Sequence, residues 1–441
     1  MERELWKSKI GFLAAAIGSA VGIGNIWRFP YIVSISGGGS FLIPYLICTL
    51  IFGIPLLIIE LATGRRFRGS TITTFERINP KFKFLSFIPT LVVFIILCYY
   101  LVVVGWILGY FTSSISNSAI EFSTFSKSIE PTVFSILSLL ILTFIVMNGV
   151  SNGIEKVSKI MMPLFFVLLI ILLLVTLSIP NSIRGILYYF RPDFSKLTDV
   201  KVWLLAAGQV LFSLSAGYGI MLTYGSYLKR NEHIPSLSIL IAVADTLVAI
   251  FAGIIIFGVI SSFNLRPTEG PHLAFVVLPK VFESMRFGSI YKSIFFLLLF
   301  IAGITSAVSM KEVVISNMID EFGITRTKAM TIVTPALTML MLLISLNYSG
   351  FFISYYNFLS ELDMIFGNLL TLISATVVCA VIAWGWNSKE LLEEVDIELE
   401  KISKWLDYFF EHDILLILVK FIIPICLVLL FLLKLLGFIQ L

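Results

Sequence analysis

Apolar residues fall in long runs separated by short polar connectors, and each run approaches or exceeds the roughly 20 residues that carry a helix across the hydrocarbon layer. The runs lie near residues 10–33, 40–63, 85–113, 132–148, 157–179, 202–228, 236–263, 289–320, 329–346, 351–385 and 413–438. An all-α polytopic membrane protein with eleven transmembrane helices is predicted. Two runs are defective. In the first, Gly18-Ser19-Ala20-Val21-Gly22-Ile23-Gly24-Asn25-Ile26-Trp27-Arg28-Phe29-Pro30 places three glycines, an amide and a guanidinium in an apolar stretch. In the sixth, Gly208-Gln209-Val210-Leu211-Phe212-Ser213-Leu214-Ser215-Ala216-Gly217-Tyr218-Gly219 places hydroxyls and glycines where a lipid-facing helix takes leucine. Broken backbone at membrane depth survives only where protein buries it or a cavity receives it. Glycine and serine also let helices pack closely, but two polar breaks at matched positions favour a binding site. The defects are five spans apart, and an odd repeat length inverts the second copy. Two inverted five-helix repeats, 1–180 and 200–385, are expected, then a connector at 386–411 and an eleventh helix at 412–441.

Composition agrees with this class. The chain has 441 residues, 58% hydrophobic and 13% charged, with mean hydropathy +1.01, whereas soluble domains are about 25% charged. A net charge of +4 spread over short loops gives no footprint for nucleic acid. The basic residues report topology instead. Arg3, Lys7 and Lys9 precede the first run, Arg65, Arg66, Arg68, Arg77, Lys81 and Lys83 crowd the second connector, and Lys229, Arg230, Arg326, Lys328, Lys389, Lys401 and Lys404 follow the same alternation. The positive-inside rule then puts the N-terminus in the cytoplasm and the C-terminus outside a multi-pass cell-membrane protein. Arg184, Arg191 and Lys196 oppose that bias in a longer loop that also holds Asp193. The first run is broken by glycines and ends in Arg28-Phe29-Pro30, so it is not a cleavable signal peptide. Connections 180–201 and 264–288 are long enough for lids or short surface helices. Leu391 to Phe410 fits either an amphipathic helix at the inner surface or a solvated connector. Cys48, Cys98, Cys379 and Cys426 sit in apolar runs as small hydrophobes, and His233, His272 and His412 lack metal-ligand spacing. Asn347-Tyr348-Ser349 matches a glycosylation acceptor, a pattern common by chance.

A half-helix ending in mid-membrane presents unpaired carbonyls, which suit a hard cation, and its continuation presents unpaired N–H groups, which suit a carboxylate. Asn25, Ser213, Thr305 and Ser306 offer neutral oxygens at membrane depth to complete a sodium shell.

At this point the residues resemble the neurotransmitter:sodium symporter family. The resemblance rests on Gly18 to Pro30, Gly37-Gly38-Gly39-Ser40-Phe41 with Pro44-Tyr45, Gly53-Ile54-Pro55-Leu56 before Glu60, Gly208 to Tyr227, and Ala302-Gly303-Ile304-Thr305-Ser306, so it spans essentially the whole chain. It implies the family's prokaryotic amino-acid-transporting branch and two sodium ions. The first sodium would sit on the Ala20 carbonyl, Asn25, Ser213 and Asp245, with the substrate carboxylate as a further ligand. The second would sit on the carbonyls of Gly18, Val21 and Ala302 and the hydroxyls of Thr305 and Ser306. Monoamine members carry an aspartate where this chain has Gly22, so the cargo is expected to bring its own carboxylate. By the same matching, Ser19, Gly22, Gly24, Ile96, Tyr100, Phe212, Ser215, Tyr218, Ser306 and Met310 surround it, with the Tyr100 hydroxyl on the carboxylate. None is charged, which favours a small neutral, mostly hydrophobic amino acid.

Arg28 and Asp363 resemble the family's outer gate, and Arg3 and Asp320, with Trp6 and Tyr227, its inner gate. Glu60, Lys311 and Glu312 are charges at membrane depth assigned to helix docking. Chloride-dependent relatives carry asparagine where this chain has Asp245, and serine where it has Ala249; they hold chloride on residues matching Tyr45, Gln209 and Ser213. A carboxylate at 245 is expected to remove the chloride requirement, unless it is protonated and acts only as a hydrogen-bond donor. Sodium-coupled symport is the expected function. The alternatives are a membrane amino-acid sensor, which would need a signalling domain that the short tails do not supply, and a proton-coupled carrier on the same fold. An enzyme is not expected, since no nucleophile stands beside a His or Cys and no Ser/Lys or Asp/Asp pair is evident. The lipid bilayer is a partner, and the choice between monomer and homo-oligomer stays open.

Overall fold

The computed structural model describes residues 3–118, 120–263, 272–352, 356–396 and 412–437. Among these, nine helices are long and apolar enough to cross a membrane: Gly38–Phe67, Pro80–Ile115, Glu130–Met147, Val150–Ser178, Ile234–Ser262, Gly288–Phe322, Arg326–Tyr348, Phe358–Gly385 and Ile414–Leu435. The first span is a bent pair, Lys9–Ala20 and Ile23–Ile35, meeting at 60°. The sixth is the shorter Val200–Ser213, continued after a gap by Ile220–Gly225. With these two the spans number eleven.

Both breaks fall where sequence reading places them, and each has a local cause. In the first, Val21 (ψ 96°) and Gly22 (φ −114°, ψ −177°) are extended, and Asn25 Oδ1 accepts the Gly22 N–H at 3.0 Å, starting the helix anew. In the sixth, Leu214 to Gly219 is unwound, with Gly217 (φ 87°) and Gly219 (φ 74°) in left-handed conformations that only glycine adopts freely. Ser215 stands there too, at φ 52°, and its hydroxyl donates to the Ser19 carbonyl at 2.8 Å. Freed backbone groups would be costly in hydrocarbon, and neighbours satisfy them. Glu60 Oε1 takes the Gly217 N–H at 2.5 Å, and Ser374 Oγ donates to the Gly217 carbonyl at 2.6 Å. The membrane-depth charge at Glu60 is thus a backbone cap for the sixth break. Lys311, also fully buried, donates to Thr143 Oγ1 in the fourth span at 2.7 Å.

The connectors depart from expectation in detail. The 180–201 loop carries the helix Ser182–Phe190, packed on the seventh span, and the 264–288 loop is helical from Leu273 to Glu283; residues 264–271 lie outside the described residues. The tenth span begins at Phe358 rather than near 351, because the Asn347 amide caps the chain there, donating to the Tyr356 carbonyl and accepting the Phe358 N–H. That buried use also explains why Asn347 is no open acceptor for a sugar. Of the amphipathic segment at 391–410, the helix Ser388–Asp396 is described, while 397–411, with Lys401 and Lys404, lies outside the described residues. The four cysteines are unpaired. From Asp363 to Leu370 the tenth span is π-helical, which hydropathy does not reveal.

Candidate functional site

Between the two breaks lies a cavity of about 250 Å³. Ser19, Gly22, Gly24, Ile96, Tyr100, Phe212, Ser215, Tyr218, Ser306 and Met310, the residues expected to surround a cargo, all line it. The first half-helix delivers Ser19, the extended turn delivers Gly22, and the sixth break delivers Ser215 and Tyr218. The third and eighth spans supply the wall. Space is tight where glycine stands: a Cβ at Gly22 would lie 3.3 Å from Ser306 Oγ and 3.7 Å from the Tyr100 hydroxyl, and one at Gly24 would lie 2.6 Å from the Phe212 ring. A side chain as long as aspartate at position 22 would therefore occupy the cavity itself.

One wall ends in a buried polar cluster. Asn25 Nδ2 donates to Ser213 Oγ at 2.8 Å and to Asp245 Oδ1 at 2.7 Å; Ser213 Oγ donates to Asp245 Oδ2 at 2.7 Å; the Tyr45 hydroxyl reaches Asp245 Oδ2 at 3.4 Å. Residues distant in sequence thus meet around one carboxylate with no solvent exposure. Ala20 lines the cavity beside this cluster. Gln209, one helical turn before Ser213, is buried with neither amide atom hydrogen-bonded among the described residues.

A second set of oxygens faces the first half-helix from the other side. Ser306 Oγ lies 3.4 Å from the Gly18 carbonyl oxygen, 3.2 Å from that of Ser19 and 3.5 Å from that of Val21. Thr305 Oγ1 lies 3.2 Å from the Ala302 carbonyl oxygen and donates to that of Ile301 at 2.8 Å. Ser306 belongs to both the cavity wall and this set.

The two expected gates differ. Arg3 Nη1 meets Asp320 Oδ2 at 2.6 Å, and Ser226 Oγ accepts from Arg3 at 2.8 Å. The Trp6 indole donates to the Tyr224 carbonyl at 3.0 Å, its backbone N–H to the Tyr227 carbonyl at 3.0 Å, and the Arg3 guanidinium covers the Tyr227 ring at 4.7 Å. That end is closed. Arg28 and Asp363 both line the cavity at its other end without a direct ion pair. The Arg28 guanidinium instead sits 4.5 Å over the Phe212 ring, a cation–π contact, while Asp363 faces Tyr99 and Asn368. The two groups expected at the outer gate thus stand at the same end of the cavity, each with another partner.

Several residues escape sequence reading. Ser309 accepts from Ser19 Oγ at 2.7 Å, and its spacing of three from Ser306 was the available signal. Val93 and Val103 line the cavity with Ile96 and Tyr100, and the 93-96-100-103 spacing marks one helix face. Glu312 holds the Tyr227 hydroxyl at 2.7 Å and Arg326 at 2.6 Å, so its role extends past helix docking into the closed end.

Comparison with known proteins agrees with this geometry. A model of the sodium:neurotransmitter symporter family matches residues 3–121 and 119–440. An uncharacterised sodium-dependent transporter of Methanocaldococcus jannaschii is 34% identical over 435 residues, covering 92% of this chain and 87% of that protein. The sodium-dependent serotonin transporter of Drosophila melanogaster is 30% identical over 375 residues, 73% of this chain and 60% of its own. The crystal structure of MhsT in complex with L-phenylalanine is similar over 98% of this chain and 99% of that one, with TM-score 0.86 and 35% identity. Broken first and sixth helices, a shared cavity and these matches lead to one assignment: the chain is a multi-pass membrane protein and sodium-dependent transporter belonging to the sodium:neurotransmitter symporter family.

Proposed function

We propose that this chain is a sodium-coupled symporter of neutral, mostly hydrophobic amino acids, working by alternating access of 1–180 against 200–385, with 386–411 as inner connector and 412–441 as an eleventh helix. The observation that carries the reading is the cavity at the helix breaks. Its central lining is uncharged, Gly22 stands where an amine-binding carboxylate would be needed, and the positive end of the half-helix that restarts at Ile23 borders it, which suits a carboxylate. A charged cargo side chain would go unpaired there at high cost. That MhsT was crystallised with L-phenylalanine supports the same cargo class.

Two sodium ions are assigned as co-substrates. A hard cation with oxygens at about 2.4 Å keeps neighbouring ligands about 3.4 Å apart, and the Ser306 Oγ distances to Gly18 and Val21 suit that spacing. The second ion is placed on Gly18, Val21, Ala302, Thr305 and Ser306, and the first on Ala20, Asn25, Ser213 and Asp245. Because the cargo carboxylate completes the first shell, cargo and ion strengthen each other's binding reciprocally. Asp245 supplies a fixed negative charge beside the first ion, so transport is expected to be chloride-independent. Arg28 and Asp363 close the outer end, and Arg3, Trp6, Tyr227 and Asp320 the inner, with the N-terminus cytoplasmic by the positive-inside rule.

The test is uptake into proteoliposomes of each of the twenty amino acids, with sodium, choline, or sodium gluconate outside. Sodium-driven uptake of apolar amino acids that persists in gluconate is expected. Binding without flux would favour a sensor, flux in choline a proton-coupled carrier, and loss in gluconate would remove the counter-ion role of Asp245.

A further inference from the structure

The outer end of the cavity is joined to a helix that belongs to neither repeat. Lys434, near the end of the eleventh span, donates from Nζ to Asn368 Oδ1 at 3.3 Å. Asn368 lines the cavity, and its Nδ2 donates to the Asp363 carbonyl oxygen at 3.1 Å and to Asp363 Oδ2 at 3.4 Å. The chemistry orients this chain in one direction only. An ammonium can only donate and an ionised carboxylate can only accept, so the amide must turn its oxygen to Lys434 and its nitrogen to Asp363. The backbone is built for the contact: Asp363–Leu370 is π-helical, and bonding five residues apart stacks 368 over 363, where α-helical geometry would rotate it away.

We infer that Lys434 is a positioning residue of the outer gate. Through Asn368 it holds Asp363 away from Arg28 and so favours the open outer end; the inference rests on the gate reading above. Its loss frees the amide to rotate and releases Asp363. The closed outer end then gains population. The eleventh span thereby sets how readily the gate shuts, although it carries no cargo or ion ligand.

The test uses the full-length protein in proteoliposomes, with Val103→Cys on the cavity wall as reporter and the parent chain, which retains its four native cysteines, as background. The rate of labelling by a membrane-impermeant methanethiosulfonate is measured in sodium without cargo. Lys434→Met is expected to slow labelling about five-fold, the scale of one charge-assisted contact at a partly buried site. Lys434→Arg, which keeps charge and donors, should restore the rate. Adding Asp363→Asn to both the parent and the Lys434→Met protein should abolish the difference between them, since a residue acting through Asp363 shows no separate effect once that carboxylate is gone. A purely structural lysine would slow labelling equally with or without Asp363, or would not be rescued by arginine, and either outcome overturns the inference. Unchanged labelling in Lys434→Met, with Asp363→Asn altering it, overturns the positioning role alone. If Asp363→Asn itself leaves labelling and flux unchanged, the gate reading fails instead.

Discussion

Thr305 is the residue at which the second sodium site is most cleanly tested. Its hydroxyl donates to the Ile301 carbonyl within its own helix, so removing it leaves no partner side chain stranded. Valine keeps the branched shape and χ1 preference and deletes one oxygen. Thr305→Val is expected to weaken sodium affinity about ten-fold or more, the scale of one contact to a full charge, with folding retained. Sodium titration of cargo binding beside a thermal-unfolding curve checks it, and unchanged sodium dependence would remove Thr305 from the shell. Asn25, Ser213, Thr305 and Ser306 stand out in the sequence as polar residues within apolar runs, and the family resemblance adds Asp245, which the structure brings to Asn25 and Ser213. Ser309 was less legible, since a serine inside a helix has an ordinary explanation in bonding to its own backbone, as Ser309 also does with the Ser306 carbonyl. Gln209 was legible as a polar residue, but its lack of a partner among the described residues appears only when the surrounding helices are in place.

At the scale of elements, hydropathy gave the spans and their order because a helix in lipid must be long and apolar, and it located both breaks through glycine. It could not give the pairing of Arg28 with its partners. Each pairing depends on rotation of the first and tenth spans about their axes, and on a π-helical stretch that packing selects. In the structure Arg28 rests on Phe212 and Asp363 on Tyr99 and Asn368; on the proposed gate, closure trades those contacts for an ion pair worth about 1 kcal/mol or less while hydrated. Such a small difference suits a gate that opens every cycle. Arg28→Ala is expected to leave equilibrium cargo binding within about three-fold, because the guanidinium stands outside the central lining, while lowering net flux at least about ten-fold through failure to occlude. Scintillation binding beside proteoliposome uptake separates the two. Normal flux in Arg28→Ala would make the residue a structural cap on Phe212.

At the scale of the whole molecule, the closed end is held by two kinds of charge pair that physics expects to behave differently. Arg3 and Asp320 are partly hydrated, with side chains 13% and 19% exposed, and Asp320 also accepts the Ser70 N–H, so the N-terminal segment is tied to the eighth span and to the connector after the second. The contrast lies in the carboxylate: Glu312 is fully buried, against 19% exposure at Asp320, and takes both Arg326, itself 16% exposed, at 2.6 Å, and the Tyr227 hydroxyl. Neutralising one partner of a buried pair strands the other and costs about 3–5 kcal/mol, whereas the wetter pair contributes about 1 kcal/mol. On the proposed gate, the Arg3 pair is the switch and the Glu312 pair the anchor. Asp320→Asn is expected to fold and to release the N-terminal segment more often, with amide exchange at Trp6, whose N–H is bonded to Tyr227, about five-fold faster. Sodium, which binds the outward-facing form on the gate reading above, should restore protection by mass action. Glu312→Gln should instead lower thermal stability with or without sodium. Hydrogen exchange by mass spectrometry on residues 3–20 reads the first and a melting curve the second. Were Asp320→Asn to leave Trp6 protected while lowering the melting temperature, the assignments would be reversed and Glu312 would be the moving contact.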